Sequence, residues 1–271
     1  MSIFTKLLKT LSSSTQYYSI DFIDKAFITA NNNCKNNYQP SPEVIFGFWT
    51  ANNPLTENRE KSITSIKRNC GVEFKLITPT NLSEYEQSDH PFHPAFQYLS
   101  AVHKADYLRT YFMHFYGGGY TDIKPHTQSW RPLFKLLNCD PSAIALGYPE
   151  NKPKDIAYTK HFTPFLGNKR KINRHMERNY KELIGNCAYI FKPRTSFTEL
   201  WLTECERRLS LSLSDLKRNP GNLYGNNPGY PLPWNSILGQ IFHPLCLAFK
   251  GTSVNSMLEK EYSSRELFSV S

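Results

Sequence analysis

The sequence lacks a long apolar run and any motif of paired cysteines, and each absence excludes a class of protein. No stretch approaches the roughly 18 apolar residues that a membrane-spanning helix needs, and lysines interrupt the N-terminal segment MSIFTKLLKTL where a signal peptide would have its core. The six cysteines are scattered, without a Cys-x-x-Cys pair or a zinc-site spacing. We therefore expect a reduced, cytoplasmic chain that is neither secreted nor integral to a membrane.

Acidic residues are also in deficit: 23 Asp and Glu stand against 32 Lys and Arg, which gives a net charge of +9. This excess favours polyanionic partners such as phosphates, anionic lipid headgroups or nucleic acid. No recognition-helix or RNA-binding motif accompanies the basic residues, so the sequence favours nucleic acid least. A chain of 271 residues with 39% hydrophobic content can bury a sizeable core, and we expect one compact unit.

Residues 1–40 differ from the rest, because an amphipathic start is followed by the polar stretch NNNCKNNYQP. This start could be a helix on a membrane surface, a helix packed on its own domain, or a frayed terminus. The domain proper is predicted to span 41–271. One face of the N-terminal helix would carry Ile3, Phe4, Leu7, Leu8 and Leu11.

The next segment predicts a strand, a helix and a strand with short links. EVIFGFW is short and apolar, TENREKSITSIKRNCG has Thr56 as an N-cap and Gly71 as a C-cap, and VEFKLIT alternates. This order is typical of an α/β fold that opens with parallel strands, whose ligands bind at the carboxyl ends of the strands. Trp49 and Thr50 occupy that end of the first strand.

Further strands are predicted at 142–148 and 186–193, and an amphipathic helix at 196–209. The segment between the two strands is rich in basic and aromatic residues and is predicted to be an insertion over a site. Its cations could bind a membrane surface or an anionic acceptor, or they could form a solvated helix face. These cations are Lys169, Arg170, Lys171, Arg174 and Arg178.

The most distinctive stretch is HKADYLRTYFMHFYGGGYTDIKP, at 103–125. From residue 96 to residue 116, apolar residues recur at spacings of three and four residues. This period predicts an amphipathic helix in which Asp106 and Arg109 lie one turn apart. The three glycines should end this helix and allow close approach to the backbone. A surface ion pair beside a glycine turn is the alternative to a functional site.

The segment YTDIK after the glycines is predicted to be a short strand. Tyr120, Asp122 and Lys124 would then project to one side, while Thr121 and Ile123 enter the core. With the Asp and Arg of the preceding helix, this arrangement would bring carboxylates and cations to one glycine-lined site. Such a set suits a phosphorylated sugar, because cations pair with phosphate while carboxylates accept hydrogen bonds from sugar hydroxyls or hold a metal.

The block KADYLRTYFMHFYGGGYTDIK resembles the Asp-x-x-Arg … Gly-Gly-x-Tyr-x-Asp-x-Asp pattern of the glycosyltransferase family 32 type. That family includes capsular-polysaccharide synthesis enzymes and fungal Golgi mannosyltransferases. The resemblance extends upstream to IFGFWT and covers 43–192. It implies the GT-A fold, a Rossmann-like nucleotide-binding sheet flanked by helices, here with a basic helical insertion.

The same resemblance implies an activity and roles for individual residues. A hexose would move from a nucleotide-sugar, most simply a UDP-sugar, to a saccharide acceptor with retained configuration, in capsule or lipopolysaccharide synthesis. Asp106, Arg109 and Asp122 would be catalytic, and Trp49 would stack on the nucleotide base. The other expected donor-binding residues are Thr50, Gly118, Gly119, Tyr120 and Lys124. A non-catalytic nucleotide-sugar or glycan-binding protein and a basic peripheral protein of the inner membrane face are the alternatives.

One position departs from the family pattern, since Lys124 stands where the last Asp of Asp-x-Asp would be. Mg²⁺ and Mn²⁺ bind oxygen donors, and an ammonium repels them. Either Asp122 holds a divalent metal with help from elsewhere, with His243 as the candidate ligand, or Lys124 itself neutralises the diphosphate. His126 could face the same side as Lys124.

Overall fold

The computed structural model of the protein describes residues 26, 29–30, 38–158, 168–249 and 254–255, of which 168–171 and 254–255 are described by their backbone alone. The expected N-terminal amphipathic helix lies outside the described residues. The same holds for the side chains of Lys169, Arg170 and Lys171.

The centre of the fold is a mixed β-sheet whose six strands follow one another along the chain as Val44–Phe48 (β1), Glu73–Ile77 (β2), Gly118–Thr121 (β3), Ala145–Pro149 (β4), Ile184–Phe191 (β5) and Val254–Asn255 (β6). Their order across the sheet is β2-β1-β3-β5-β4-β6. β1 is parallel to both β2 and β3, as the sequence predicted for the first two strands. β5 is antiparallel to β3 and β4, whereas β6 is parallel to β4.

Helices cover both faces of the sheet. They are Glu57–Asn69 (α1), Ala101–Phe115 (α2), Arg131–Cys139 (α3), Asn168–Arg178 (α4), Ser196–Arg218 (α5) and Gly239–Ala248 (α6). One core cluster joins α1 and α3 to strand residues such as Ile45 and Ile190. The other joins α2, α5 and α6 to the alternate residues, such as Phe46 and Phe191. The expected α/β class is confirmed, and the arrangement is compatible with a Rossmann-like fold.

The first helix is bounded by local signals that the sequence already contains. The Thr56 side chain accepts a hydrogen bond from the Arg59 N–H, as an N-cap does. Cys70 is the C-cap, and Gly71 follows it with a φ of 72°. The predicted N-cap is therefore confirmed, and glycine occupies the left-handed position just beyond the C-cap.

The second helix is shorter than its periodicity predicts. It begins at Ala101 rather than near residue 96, because the Ser100 hydroxyl accepts the N–H of His103 and starts the helix there. Leu99 before it is extended, and a short 3₁₀ turn spans Phe96–Tyr98. The apolar residues before Ser100 pack against the core without continuing the helix.

The strand after α2 was predicted two residues too late. β3 includes Gly118 and Gly119 and ends at Thr121, so Asp122 and Lys124 lie just beyond its carboxyl end. A Cβ on Gly118 would come within 2.8 Å of the Val44 carbonyl oxygen, and one on Gly119 within 3.1 Å of Ile45 and Trp130. The glycines therefore allow β3 to pack closely inside the sheet.

Of the later predicted elements, β4 begins three residues later than expected, β5 begins and ends two residues earlier, and only α5 extends well beyond its predicted bounds. α5 continues to Arg218 instead of ending at 209, because Leu209, Ser212 and Leu216 keep one face buried. α4 is a helix with exposed Arg174 and Arg178 and a buried Met176, and it packs against α6.

Candidate functional site

The carboxyl ends of β1, β2 and β3 meet at one edge of the sheet, because these strands run parallel. β5 runs the other way and adds its first residues to the same edge, where the Asp122 N–H donates to the Cys187 carbonyl over 2.8 Å. Two features lie along this edge: a cavity beyond β1 and β2, and a charged cluster beyond β3.

The cavity has a volume of about 460 Å³ and opens where β1 and β2 end and α2 begins. Polar and apolar groups contribute about equally to its walls, so it suits a small molecule that has both an apolar and a polar part. Residues that line it include Thr50, Ile77, Thr78, Leu82, Phe96, Leu99, Lys104, Leu108 and Asn222.

Thr50 and Lys104 are the polar residues that α2 and the end of β1 bring to this cavity. The Thr50 hydroxyl donates to the Ala101 carbonyl over 2.5 Å and so ties the end of β1 to the start of α2. The Lys104 ammonium lies 5.7 Å from the centre of the Phe96 ring. Burial lowers the pKa of Lys104 from its ordinary value. Sequence reasoning placed Thr50 here but did not find Lys104, which has no motif of its own.

Trp49 follows the last residue of β1, as the sequence predicted. Its indole N–H donates to the Asn53 carbonyl over 2.9 Å, and its backbone N–H donates to the Ile77 carbonyl over 2.8 Å. It lies beside the cavity without being one of the residues that line it. The expected stacking on a base stays a prediction.

The charged cluster consists of Asp106, Arg109, Tyr120, Asp122 and Lys124, and we call it the Arg109 cluster. The guanidinium Nη2 lies 3.4 Å from Asp122 Oδ1, Nε lies 3.8 Å from Asp106 Oδ1, and the group stacks 4.3 Å over the Tyr120 ring. The Tyr120 hydroxyl donates to Asp122 Oδ1 over 2.7 Å, and the Lys124 ammonium lies 3.2 Å from Oδ2. The structure thus brings together all five residues that the sequence singled out.

The pKa values of the two carboxyl groups in this cluster are shifted in opposite directions. Burial raises the pKa of Asp106 to about 7, although Arg109 opposes the change. Burial alone would also raise the pKa of Asp122, but Arg109 and Lys124 outweigh it and hold that pKa below its ordinary value. The acidic neighbours of Arg109 likewise overcome burial and raise its pKa, so the guanidinium stays charged. Carboxyl groups with separated pKa values are typical of functional sites.

Two polar atoms near the guanidinium are buried and lack hydrogen-bond partners among the described residues: Arg109 Nε and Tyr189 Oη. Asn186 and Tyr189 come from β5, and the Asn186 carbonyl accepts from Arg109 Nη1 over 3.1 Å, whereas its side-chain amide lies at His243, 3.1 Å from Nε2. Buried polar groups are nearly always paired in folded proteins, so Arg109 Nε and Tyr189 Oη are candidate contacts for a polar ligand. Sequence reasoning missed both residues, because only the pairing of β3 with β5 brings them here.

The two glycines expected to contact the donor have another explanation. Gly118 and Gly119 are buried in the sheet, where a side chain would meet β1 and Trp130. Their presence follows from packing and does not indicate a ligand contact.

His243 and His126, the candidate histidines, are occupied by the protein itself. His243 is fully buried, and its Nδ1 accepts the Ala157 N–H over 2.8 Å. Its Nε2 lies 3.1 Å from the side-chain amide of Asn186 and 3.3 Å from Glu150 Oε1. His126 Nε2 lies 3.0 Å from the Thr121 hydroxyl, and its ring stacks on Trp130. His126 therefore faces the core rather than the side of Lys124.

The divalent metal that the resemblance implied does not fit these residues. Asp122 Oδ1 accepts from Tyr120 and faces Arg109, while Oδ2 pairs with Lys124, so two cations already neutralise this carboxylate. Within the described ranges, no group of three or more His, Cys, Asp or Glu side chains could hold a metal ion. The expectation that Asp122 and His243 share a metal is therefore not supported.

No family model, curated protein or solved structure matches the chain. Among the described residues, no helix combines the length and apolar character needed to cross a membrane. The candidate site is thus defined by the residues and geometry of this chain alone.

Proposed function

We propose that the chain is a glycosyltransferase of the GT-A type that transfers a hexose from a nucleotide-sugar, a UDP-sugar, to a saccharide hydroxyl. One observation carries this proposal: a cavity of about 460 Å³ with both polar and apolar walls lies on the same sheet edge as a buried carboxyl–guanidinium cluster with unpaired hydrogen-bonding atoms. Ligands of open α/β sheets bind outside the carboxyl ends of the strands, which is where both features lie.

The cavity suits the nucleoside of the donor. Its apolar walls can bury a base and a ribose, and Thr50 and Lys104 supply polar contacts at its rim. A half-buried ammonium next to the nucleoside also favours the negative charge of the attached phosphates, since burial strengthens electrostatic attraction. Trp49 has no role in this proposal, because its indole binds the Asn53 carbonyl.

The Arg109 cluster suits the sugar. Asp106 and the unpaired Nε of Arg109 can bind adjacent hydroxyl groups, and the Tyr189 hydroxyl can complete the set. Because the pKa of Asp106 is near 7, this carboxyl can either accept or donate a hydrogen bond at neutral pH. These contacts would orient the anomeric carbon of the sugar toward the acceptor.

The reaction needs no dedicated base from the protein. The bond between the anomeric carbon and the diphosphate oxygen breaks, and its electron pair leaves with the diphosphate. A phosphate oxygen accepts the proton of the acceptor hydroxyl, whose oxygen forms the new glycosidic bond on the same face, so configuration is retained. The positive charges of Arg109 and Lys124 stabilise the leaving group electrostatically, and stabilisation of this kind often contributes more to catalysis than any other effect.

The acceptor and the location are proposed from charge. A net charge of +9 favours an anionic acceptor or a position near an anionic lipid surface. We therefore propose a cytoplasmic enzyme of surface polysaccharide or lipopolysaccharide synthesis, associated peripherally with the inner face of the membrane.

Mass spectrometry of the full chain incubated with UDP-, GDP- and dTDP-sugars tests the proposal. We expect the parent to hydrolyse or transfer the sugar. Asp106→Asn should lose this activity, and Asp215→Asn should retain it. Asp215 is a matched control because its ion pair with Arg218 is surface-exposed. Nucleotide-sugar binding without turnover would instead support a non-catalytic binding protein. Binding to anionic vesicles without any nucleotide binding would support a peripheral membrane protein.

A further inference from the structure

A third cation reaches the segment that carries Asp122 and Lys124. Arg59 lies in the first turn of α1, and its Nη1 donates to the carbonyl of Ile123. This bond uses one nitrogen of a guanidinium that has five N–H donors. Arg59 and Lys124 are both partly exposed, so a ligand at the end of β3 can reach both side chains. No sequence motif singled out Arg59.

Cationic side chains outnumber carboxyl groups at the end of β3. Arg109 and Lys124 pair with the carboxyl groups of Asp106 and Asp122, and Arg59 adds a third cation at the Ile123 carbonyl. Asp106 is only partly ionised at neutral pH, because burial raises its pKa to about 7. The end of β3 is therefore positively charged when no ligand is bound. This sign favours an anion and disfavours a divalent cation.

The chemistry of the cations further defines the anion. The Lys124 ammonium uses one donor on Asp122 Oδ2 and a second on Cys187 Sγ over 3.8 Å, which leaves its third donor for a ligand. A guanidinium presents a planar fork that matches two phosphate oxygens, and an ammonium acts as a point charge on a third. A diphosphate between the nucleoside cavity and the Arg109 cluster fits this pair of side chains.

We propose that Lys124 and Arg59 bind the diphosphate of the donor directly, without a divalent cation. This inference rests on the proposed function, since it assigns the diphosphate of the same nucleotide-sugar. It gives Lys124 the charge-neutralising role that a metal has in many nucleotide-sugar sites. Asp122 then holds Lys124 and Arg109 in place, with both of its oxygens engaged.

Isothermal titration calorimetry of the full chain with inorganic pyrophosphate and with UDP, in EDTA, tests this inference. Both ligands should bind the parent in EDTA. Lys124→Gln and Arg59→Gln should each weaken binding by about tenfold or more, since each removes a charge-assisted hydrogen bond. Lys61→Gln is the matched control: Lys61 lies on the same helix, pairs with Glu57 at the surface, and should change the affinity less than about twofold.

The variant Lys124→Asp sharpens the test, because it places a second carboxylate where the ammonium was. Pyrophosphate binding in EDTA should fall by about tenfold or more, and Mn²⁺ should then restore it. Electron paramagnetic resonance of free Mn²⁺ should show uptake by this variant with UDP, and none by the parent.

Three results would overturn the inference. If the parent bound UDP and turned over a nucleotide-sugar only when Mn²⁺ was present, the proposed function would stand, but Lys124 and Arg59 would not replace the metal. Unchanged pyrophosphate affinity in both glutamine variants would show that other residues bind the anion. Absence of UDP and pyrophosphate binding with or without Mn²⁺ would overturn the inference and the proposed function together.

Discussion

Two buried ion-pair clusters lie on neighbouring helices, and they differ in how completely their atoms are hydrogen-bonded. On α5, Glu204 accepts from Arg208 over 2.8 Å and from Arg207 over 2.6 and 2.8 Å, and Arg208 also donates to the Ser236 carbonyl. On α2, Arg109 has a buried Nε without a partner among the described residues, and the nearest Asp106 oxygen is 3.8 Å away.

This difference separates a structural ion pair from a candidate site. Glu204, Arg207 and Arg208, which we call the Glu204 cluster, direct their hydrogen bonds to one another and to the protein backbone. The bond from Arg208 to the Ser236 carbonyl connects α5 to the segment before α6. The Arg109 cluster carries similar groups at a similar helical spacing, but its Arg109 Nε has no hydrogen-bond partner among the described residues. Since both are buried, exposure alone would not distinguish them.

The largest expected effect is on stability, at Glu204. Glu204→Gln removes the carboxylate and leaves Arg208 charged and buried, which should lower the free energy of unfolding by about 3 kcal/mol or more. Urea denaturation measures this. Asp215→Asn removes an exposed carboxylate from the same helix and should cost less than about 1 kcal/mol. Equal costs for the two variants would contradict the comparison.

The second prediction concerns Asp106, where activity should change more than stability. Asp106→Asn and Arg109→Gln should each lower donor turnover by about 100-fold, because each removes a charged group at the proposed reacting centre. Steady-state kinetics with the donor found by mass spectrometry measures this loss. Full activity in both variants, with circular dichroism like that of the parent, would remove the Arg109 cluster from the site.

The third prediction is a pH dependence that follows from Asp106. Its pKa rises from 3.8 in the unfolded chain to about 7 in the folded protein, so between these values the folded state binds more protons. The free energy of unfolding should therefore fall as pH rises, by about 1.4 kcal/mol per pH unit at most. Asp106→Asn should lack this contribution and gain stability relative to the parent between pH 5 and pH 7. Urea denaturation at several pH values measures the free energy of unfolding. A difference between the parent and Asp106→Asn that stays constant from pH 5 to pH 7 would contradict the prediction.

The smallest expected effect is on the donor KM, and it compares Lys104, which lines the cavity, with Trp49, which lies beside it. Lys104→Met removes the ammonium from the cavity wall and should raise the donor KM by about tenfold, with kcat less affected. Trp49→Phe should change the KM less than about twofold, because the indole lies outside the lining. A larger effect at Trp49 would restore the stacking role that the resemblance implied.

The sequence predicted the parts of the fold that local signals define. The Thr56 N-cap and the periodicity of α1 lie within a few residues of each other, and the short apolar run of β1 and the alternation of β2 are equally local. Asp106 and Arg109 were found because their spacing belongs to one helix. Such features depend on neighbouring residues, so they can be read before any tertiary contact is known.

The missed features depend on burial or on long-range pairing. All ten residues of α6 are buried, so the helix has no polar face and no amphipathic period, and Pro244 inside it argues against a helix. Asn186 and Tyr189 reach Arg109 only through the pairing of β5 with β3, and Arg59 reaches Ile123 across 64 positions. No local pattern contains that information.

The central position of β3 has a consequence for the order in which the protein is made. β3 pairs Gly119 with Ile45 on one side and Thr121 with Ala188 on the other, so its two partners are separated by most of the domain. Pairings this distant in sequence form slowly and late in folding. During synthesis, the Arg109 cluster therefore cannot be complete until Asn186 and Tyr189 have left the ribosome, and a truncated chain that ends before β5 carries no site.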